Sequence, residues 1–371
     1  MPCHNDNFQR QPTYMIEQVI AAFERKDYQT AAKLIQQMLV ESPDNPWVQL
    51  YFGKLKEVSL QFPEAEKVYR QLLRTTTHSK IISQARQGLQ RLQEVKQEEK
   101  QRAIVKSISA PHNNELGILV LEPINNELKT SAASNFAQIM QVDVYTARMI
   151  LPSQNWRVYR IAQVGELAFY GTQLQQAGIP CFWVRIPQIQ QIQVFQVKHL
   201  SINKSQIKVV CQNEANQTGS MRFDLSEVTN RVMGLLPLFE QVIDVNARGQ
   251  LERKTKTQDY AQFCDLHLPN RRSILRIYDQ GYEFQQGLDS QSQANHNTIR
   301  INWNNLMVWI EKQLPEVKVW SDFQPFAQIV IDQTDILKQI PSQINLFRRE
   351  QSNWDAAFHL YSGIIFTKNA S

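Results

Sequence analysis

The sequence contains little cysteine and no long apolar run, and each shortage excludes a class of protein. Its four cysteines in 371 residues stand far apart, which argues against a disulfide framework and offers no zinc-ligand spacing. The longest apolar runs, such as 179–184 and 234–239, are much shorter than the roughly 20 residues that span a bilayer. We therefore expect reduced thiols, no metal site and no membrane span. The first residues lack the basic flank and apolar core of a signal peptide, so we expect a cytoplasmic protein.

The common signature motifs of enzymes are also missing. There is no Gly-x-Gly-x-x-Gly, no phosphate-binding loop ending in Gly-Lys-Ser/Thr, no Gly-x-Ser-x-Gly and no His-Glu-x-x-His. A net charge of +5 is mild for this length and neither requires nor excludes an anionic partner. We expect a protein that is not an enzyme, has no cofactor and does not bind nucleic acid.

The composition is that of a folded chain with more than one domain. Hydrophobic residues make up 42% and charged residues 20%, and glutamine supplies about one residue in eight. The length exceeds one usual domain of roughly 100 to 200 residues, which predicts two or three hydrophobic cores.

Apolar residues at helical spacing predict five helices in the first 105 residues. A stripe from Ile16 to Phe23 is followed by one from Ala31 to Leu39, and the prolines of 42–46 separate it from the next. Two more stripes follow around Leu50 and Ala65. The helix predicted from Lys80 to Arg102 would cap the array.

The second pair of helices repeats the first at a spacing near 34 residues. Tyr28, Ala31, Ile35 and Leu39 align with Phe62, Ala65, Tyr69 and Leu73. This period, with the small residues Gly53 and Ala65 twelve positions apart and the aromatic Tyr69, resembles the tetratricopeptide repeat family. Lys56 and Leu60 depart from the pattern of that family. The alternative is a helical bundle without repeats.

The resemblance implies a short groove that holds a peptide or helix of another protein. Trp47 and Tyr51 fall outside the packing positions of the repeat, so we predict that the partner is bound by Trp47, Leu50, Tyr51 and Lys54. A clamp for a C-terminal carboxylate is not expected, because Leu50 and Ala21 stand where such a clamp needs polar groups. Binding would then depend on packing.

After a predicted linker at 106–114, the pattern changes to a small α/β module at 115–188. The predicted elements follow in the order β-α-α-β-α-β, and Gly178 fits the left-handed position after a helix. This order, with Gln176-Ala177-Gly178-Ile179, is similar to the C-terminal domain of the ribosomal stalk protein and the Clp protease adaptor fold. Those relatives bind other proteins. A ferredoxin-like or flavodoxin-like unit is the alternative.

Residues 189–371 are predicted to form an α+β domain. Strands are predicted at 192–200, 206–211, 221–223 and 274–278, and helices at 304–313 and 335–348, with a further helix at 235–242. A polar loop is predicted at 286–297. Nine aromatic residues crowd the end of the chain, and we assign most of them to the core; they are Trp303, Trp309, Trp320, Phe323, Phe326, Phe347, Trp354, Phe358 and Tyr361.

Two clusters in this region could carry chemistry. Asp265 and His267 lie two residues apart, so on a strand they would share a face and could act in base or metal chemistry. The simpler interpretation is a polar edge pair that alternates with buried Leu266 and Leu268. A basic cluster could contact phosphates, although acidic residues interrupt it; its members are Arg248, Arg253, Lys254, Lys256, Arg271, Arg272 and Arg276.

These predictions combine into a multidomain α + α/β interaction protein, acting as a scaffold, an adaptor or an assembly factor. The whole chain also resembles tetratricopeptide proteins of cyanobacteria, on the residues 45–51, 68–74 and 177–180. That resemblance implies the cytoplasm or the cytoplasmic side of a photosynthetic membrane. The main alternative is a regulatory protein that senses a small molecule in its α/β or C-terminal domain. An enzyme using Asp265 and His267, or an RNA-binding protein, are the others.

Overall fold

The character of the chain changes near residue 105. In the computed structural model, which describes residues 10–203, 206–245, 249–286, 298–344, 346 and 352–370, the chain divides into two compact units between Ile104 and Val105. The described part of the first unit is helical, and the second combines helices with two sheets. The protein is therefore a multidomain α+β chain.

Five helices build the described part of the first unit, and local sequence sets where they begin. Asp27 and Asn45 each accept a backbone N–H bond at a helix start, from Thr30 and Trp47. Pro46 occupies the first turn of its helix, where the missing N–H costs nothing. The helices are α1 (Arg10–Glu24), α2 (Tyr28–Glu41), α3 (Pro46–Val58), α4 (Phe62–Thr75) and α5 (Ser79–Ile108), the last continuing into the predicted linker.

The ring of Tyr69 on α4 fixes how three helices pack. Tyr69 is fully buried, and a Cβ placed on Gly53 or Gly88 would approach its ring carbons to 2.8 or 2.5 Å. Only glycine therefore allows α3 and α5 to close on the two sides of this ring. The hydroxyl of Tyr69 donates a 2.7 Å hydrogen bond to Glu57, which also accepts two bonds from Arg91.

The second unit begins with a three-stranded antiparallel sheet in the order β2-β1-β3. Gly178 has a φ of 78° after the third helix of this region, which confirms the predicted left-handed position. The elements are β1 (Leu116–Leu121), α6 (Lys129–Met140), α7 (Val144–Ile150), β2 (Arg157–Gln163), α8 (Val164–Gln176), β3 (Cys181–Arg185) and α9 (Ile186–Gln190).

A seven-stranded mixed sheet follows, with the strand order β10-β7-β8-β9-β4-β5-β6. Its longest strands, β7 and β8, pair over their whole length, from Asn230 opposite His267 to Val245 opposite Leu251. The strands are β4 (Gln193–Asn203), β5 (Gln206–Gln212), β6 (Thr218–Asp224), β7 (Asn230–Val245), β8 (Leu251–Leu268), β9 (Ser273–Tyr278) and β10 (Lys318–Trp320).

Four helices complete the second unit, and the last one is buried between the two sheets. From Asp355 to Phe366 every residue of this helix is buried, and a Cβ placed on Gly363 would meet the side chain of Ile189. Its apolar side chains share one core with strands of both sheets. The predicted domain boundary at 188 therefore does not separate two cores. The helices are α10 (Ile299–Gln313), α11 (Phe323–Val330), α12 (Thr334–Leu337) and α13 (Asn353–Ala370).

Two predicted helices are wrong in the described residues. Residues 235–242 belong to β7. Their apolar run does not distinguish a helix from a strand by periodicity, and pairing with β8 makes it a strand. Of the helix predicted at 335–348, only Thr334–Leu337 is helical, and residues 345, 347 and 348 lie outside the description. The strands predicted at 192–200, 206–211, 221–223 and 274–278 are confirmed, with bounds shifted by a few residues.

Replacing Gly88 by alanine tests the packing of Tyr69. A helical Gly→Ala change normally gains about 1 kcal/mol. Here the new methyl group would overlap a ring that Gly53 confines on its other side, so we expect a net loss of about 1–3 kcal/mol in the free energy of unfolding of the first unit. Chemical denaturation followed by circular dichroism measures it.

Gly219→Ala on β6 of the second unit is a control for the added methyl group alone, because no atom lies within 4 Å of a Cβ placed there. We expect this variant to unfold like the original protein. Equal stability of the two variants would contradict the assignment of Gly88.

Candidate functional site

A patch of aromatic and basic side chains lies where α3 and α5 meet. We call Trp47, Lys54, Lys80 and Gln84 the α3–α5 patch. The ammonium of Lys54 donates a 2.9 Å hydrogen bond to Gln84 and lies 4.8 Å from the ring centroid of Tyr51. The ammonium of Lys80 lies 5.9 Å from the ring centroid of Trp47. The patch thus combines two cations with a half-buried indole.

The four predicted contact residues separate into two groups. Trp47 and Lys54 are half-buried and belong to the patch. Leu50 is fully buried and Tyr51 is 7% exposed, because they fill the spaces between helices with Ala65 and Tyr69 and with Val19 and Ile35. The prediction that Leu50 and Tyr51 contact a partner is therefore wrong: these side chains hold the helices together.

Partial burial places Lys54 in an unfavourable environment for its charge. Burial lowers the pKa of Lys54, the guanidinium of Arg91 lowers it further, and Glu57 opposes both. Burial alone would raise the pKa of Glu57, but hydrogen bonds from Arg91 and Tyr69 outweigh burial, and that pKa is lowered. Because Glu57 is engaged by two other groups, a carboxylate from outside would stabilise the Lys54 cation further.

A second cluster lies in the interior of the other unit, between the large sheet and α13. Asp265 and His267 share one face of β8, as their spacing predicts, but both are fully buried. Arg276 on β9 donates two hydrogen bonds to the carboxylate of Asp265, at 2.9 and 2.7 Å. It also donates to the carbonyl oxygens of Ser342 and Gln343. The interpretation as an edge pair is wrong, because β8 is a central strand covered on both faces.

The hydroxyl of Ser362 on α13 fixes the protonation of this cluster. It donates to Oδ2 of Asp265 at 2.7 Å, because an ionised carboxylate can only accept. The bond between Ser362 and Nε2 of His267, at 2.9 Å, is then donated by the imidazole. His267 is neutral, with Nδ1 as a buried acceptor without a partner. Among the described residues, neither ring nitrogen of the fully buried His359 has a hydrogen-bond partner.

The cluster contains a serine, a histidine and an aspartate without the arrangement that activates a serine. In a hydrolase triad the histidine accepts the serine proton and the aspartate orients the histidine. Here the proton of Ser362 goes to Asp265, and the three side chains are 0% exposed. The ion pair and the hydrogen bonds of this cluster instead link β8, β9 and α13.

The basic cluster is spread out and mostly neutralised. Arg276 is buried, Arg271 makes two bonds to Glu227 at 2.6 and 2.7 Å, and Lys256 pairs with Asp244 at 2.8 Å. Lys254 lies 3.6 Å from Glu252. Arg248 lies outside the described residues, as do Phe347 and most of the loop predicted at 286–297.

The remaining candidate groups of the described part are buried or dispersed. Cys181, Cys211 and Cys264 are free and buried, and burial raises the pKa of Cys181 to about 11 and that of Cys264 to about 12. Within the described ranges, no three His, Cys, Asp or Glu side chains are placed to hold a metal ion. In the same ranges, no helix is both long and apolar enough to cross a bilayer. An open depression of about 540 Å³ lies beside Ile124 and Ile179.

Comparison with protein-family models, with curated proteins and with solved structures finds no match to this chain.

Several residues of both clusters were not found from the sequence. Lys80 and Gln84 lie on a long polar helix where nothing distinguishes them from their neighbours. Ser362 is remote from Asp265 in the chain. Arg276 was assigned to the basic cluster, although its position inside the otherwise apolar strand β9 indicates a buried partner.

The two buried histidines predict a loss of stability in mild acid. Burial lowers the pKa of His267 to about 4, with Asp265 opposing and Arg276 adding to the shift, and burial lowers the pKa of His359 well below 6.5. Below pH 6.5 the unfolded chain takes up protons that the folded chain does not. We expect the free energy of unfolding to fall by up to about 2.7 kcal/mol per pH unit from pH 6.5 towards 4.5, measured by urea titration. His359→Leu should halve this slope, and an unchanged slope would contradict the assignment.

Asp265→Asn tests whether the ion pair maintains the fold. The change leaves the buried guanidinium of Arg276 without a counter-charge, so we expect a loss of about 3–5 kcal/mol in the free energy of unfolding. Glu252→Gln is the control, because its ion pair with Lys254 is exposed and screened, and we expect no measurable change. If both variants unfolded alike, the cluster would not have the structural role described.

Proposed function

We propose that this chain is a non-enzymatic interaction protein, a scaffold, adaptor or assembly factor, whose N-terminal helices bind a segment of another protein. One observation carries the proposal: helical hairpins at a 34-residue spacing bring α3 and α5 together with a half-buried cation and an indole between them. The tetratricopeptide resemblance of the sequence supports it. Such repeats commonly use the surface formed by successive first helices to hold a peptide.

The chemistry of the α3–α5 patch indicates the kind of segment that it would bind. Trp47 offers apolar area at little entropic cost, and Lys54 and Lys80 offer positive charge within reach of it. A segment that combines an apolar side chain with a carboxylate fits both features. We place this function in the cytoplasm or on the cytoplasmic side of a photosynthetic membrane.

The small α/β region is proposed as a second binding surface. Its element order, with β1 between β2 and β3, supports the likeness to the ribosomal stalk and Clp adaptor folds. The ligand-sensing alternative has one supporting observation, the open depression of about 540 Å³ beside Ile124 and Ile179. A small molecule that co-purifies with the full chain would favour that alternative.

Charge reversal in the patch tests the proposed function. We expect the Lys54→Glu, Lys80→Glu double variant of the full chain to lose a partner that in-cell crosslinking and affinity purification recover with the original protein. A carboxylate there would repel the acidic group of the segment. Quantitative mass spectrometry measures the loss, and about a tenfold or greater decrease is expected.

The matched control reverses two lysines outside the patch. Lys33 on α2 and Lys67 on α4 are further lysines of the same unit, and both are exposed. The Lys33→Glu, Lys67→Glu variant carries the same change of charge and should retain the partner. Equal recovery with both double variants would contradict binding at the patch.

A further inference from the structure

The outer halves of β7 and β8 form a two-stranded ribbon that no other described strand joins. Beyond the first residues of β7, which pair with β10, and the last of β8, which pair with β9, the two strands pair only with each other. Residues 240–245 and 251–260 are exposed or half-buried throughout. Both faces of this ribbon are therefore accessible, and their side chains differ sharply.

One face of the ribbon carries almost every charge. Side chains alternate between faces along a strand, and a register shift at Leu238/Phe239 leaves Gln258 as an extra residue of β8. Counted across this bulge, the charged residues that point to the same side as buried Leu236 and Ala261 include Glu240, Asp244, Glu252, Lys254 and Lys256. On this charged face, Lys256 forms an ion pair with Asp244 and Lys254 forms one with Glu252, so these four charges are neutralised.

The opposite face lacks acidic groups and carries the exposed apolar side chains of Ile243, Val245 and Leu251 beside threonines and glutamines. We call it the apolar face, and its only charged residue from Leu235 to Val245 and from Leu251 to Gln262 is Arg253. Ile243 is 68% exposed and Leu251 is 77% exposed. Exposed apolar area of this kind on a folded chain marks an interaction site. The remaining members are Leu235, Pro237, Phe239, Gln241, Val245, Thr255, Thr257, Tyr260 and Gln262.

We propose that the apolar face binds the same face of a second copy of this chain. A two-fold axis across the strands at the level of Glu240 places Val245 over Leu235 of the other copy, and these side chains are 57% and 42% exposed. The same operation places Arg253 over the ring of Tyr260, which is 44% exposed. Arg253 of each copy thus faces an aromatic ring and not Arg253 of the other copy. The surface is therefore complementary to itself in charge.

The dimensions of the ribbon set the strength of the contact. Strand rise and spacing give each apolar face about 35 by 10 Å. Two copies would bury about 700 Å² in total, less than the roughly 1,200 Å² of stable complexes. The dimer is therefore a weak one that forms at micromolar or higher concentration. It involves β7 and β8 alone and does not depend on the function proposed for the N-terminal helices.

Adjacent residues of one strand provide the test. Ile243→Asp puts a carboxylate on the apolar face beside Arg253 of its own copy, where it would compete with Tyr260 of the other copy for that cation. Val242→Asp puts the same group on the charged face, beside Lys254. Sedimentation equilibrium of the full chain over a concentration series should show a monomer–dimer equilibrium. We expect Ile243→Asp to raise the dissociation constant about tenfold or more and Val242→Asp to change it less than about twofold. Circular dichroism should show both variants folded.

Two variants of Tyr260 test the pairing across the axis. Tyr260→Glu places a carboxylate over Arg253 of the other copy, so the dimer should persist and become sensitive to salt. Tyr260→Lys places two cations together and should abolish the dimer. A monomer at every concentration, equal effects of the Ile243 and Val242 changes, or equal effects of the two Tyr260 changes would each overturn the proposal.

Discussion

The ion pair between Asp265 and Arg276 is the interaction on which the second unit most depends. It lies on a central strand whose two faces are both covered, and both side chains are fully buried. Charges at such a depth are tolerated only when each is compensated, and here the carboxylate accepts from Arg276 and Ser362. Because Ser362 belongs to α13, the same network fixes the helix that lies between the sheets.

Asp265, His267 and Ser362 are buried in this network and lack the arrangement of a catalytic triad. His267 and Ser362 serve the carboxylate of Asp265, and the network has no exposed member. The network has an energetic cost, because His267 and His359 are neutral and have buried ring nitrogens without a hydrogen-bond partner among the described residues. The first unit places its polar groups differently: Tyr69, Glu57 and Arg91 form a network at its edge, and Lys54 is left half-buried beside it.

Local patterns predict most of the helices and short strands, since their signals are periodic and lie within a few residues. The prolines of 42–46 and the left-handed Gly178 are examples. The β7–β8 ribbon could not be predicted, because a 16-residue strand that contains Pro237 and charged stretches derives its stability from cross-strand pairing. Helix α13 escaped prediction for a related reason: a helix buried on all sides has no polar face and therefore no amphipathic stripe.

The candidate site shows the same division. Spacing places Asp265 and His267 on one face, but only the fold supplies Arg276 and Ser362 and shows that the face is buried. In the helical unit, the sequence identifies Trp47 and Lys54, yet it cannot separate them from Leu50 and Tyr51, because a residue outside the repeat pattern can still fill a gap between helices.

We propose the N-terminal helices as the surface with which this protein binds its partner. Hydrogen exchange of the full chain, alone and in the complex recovered from cells, tests this most directly, because protection reports where a partner excludes local opening. We expect slower exchange in the complex for Pro46–Val58 and for the first half of α5, whether or not the second proposed surface in the small α/β region is also protected. Protection confined to residues beyond 105 would contradict it.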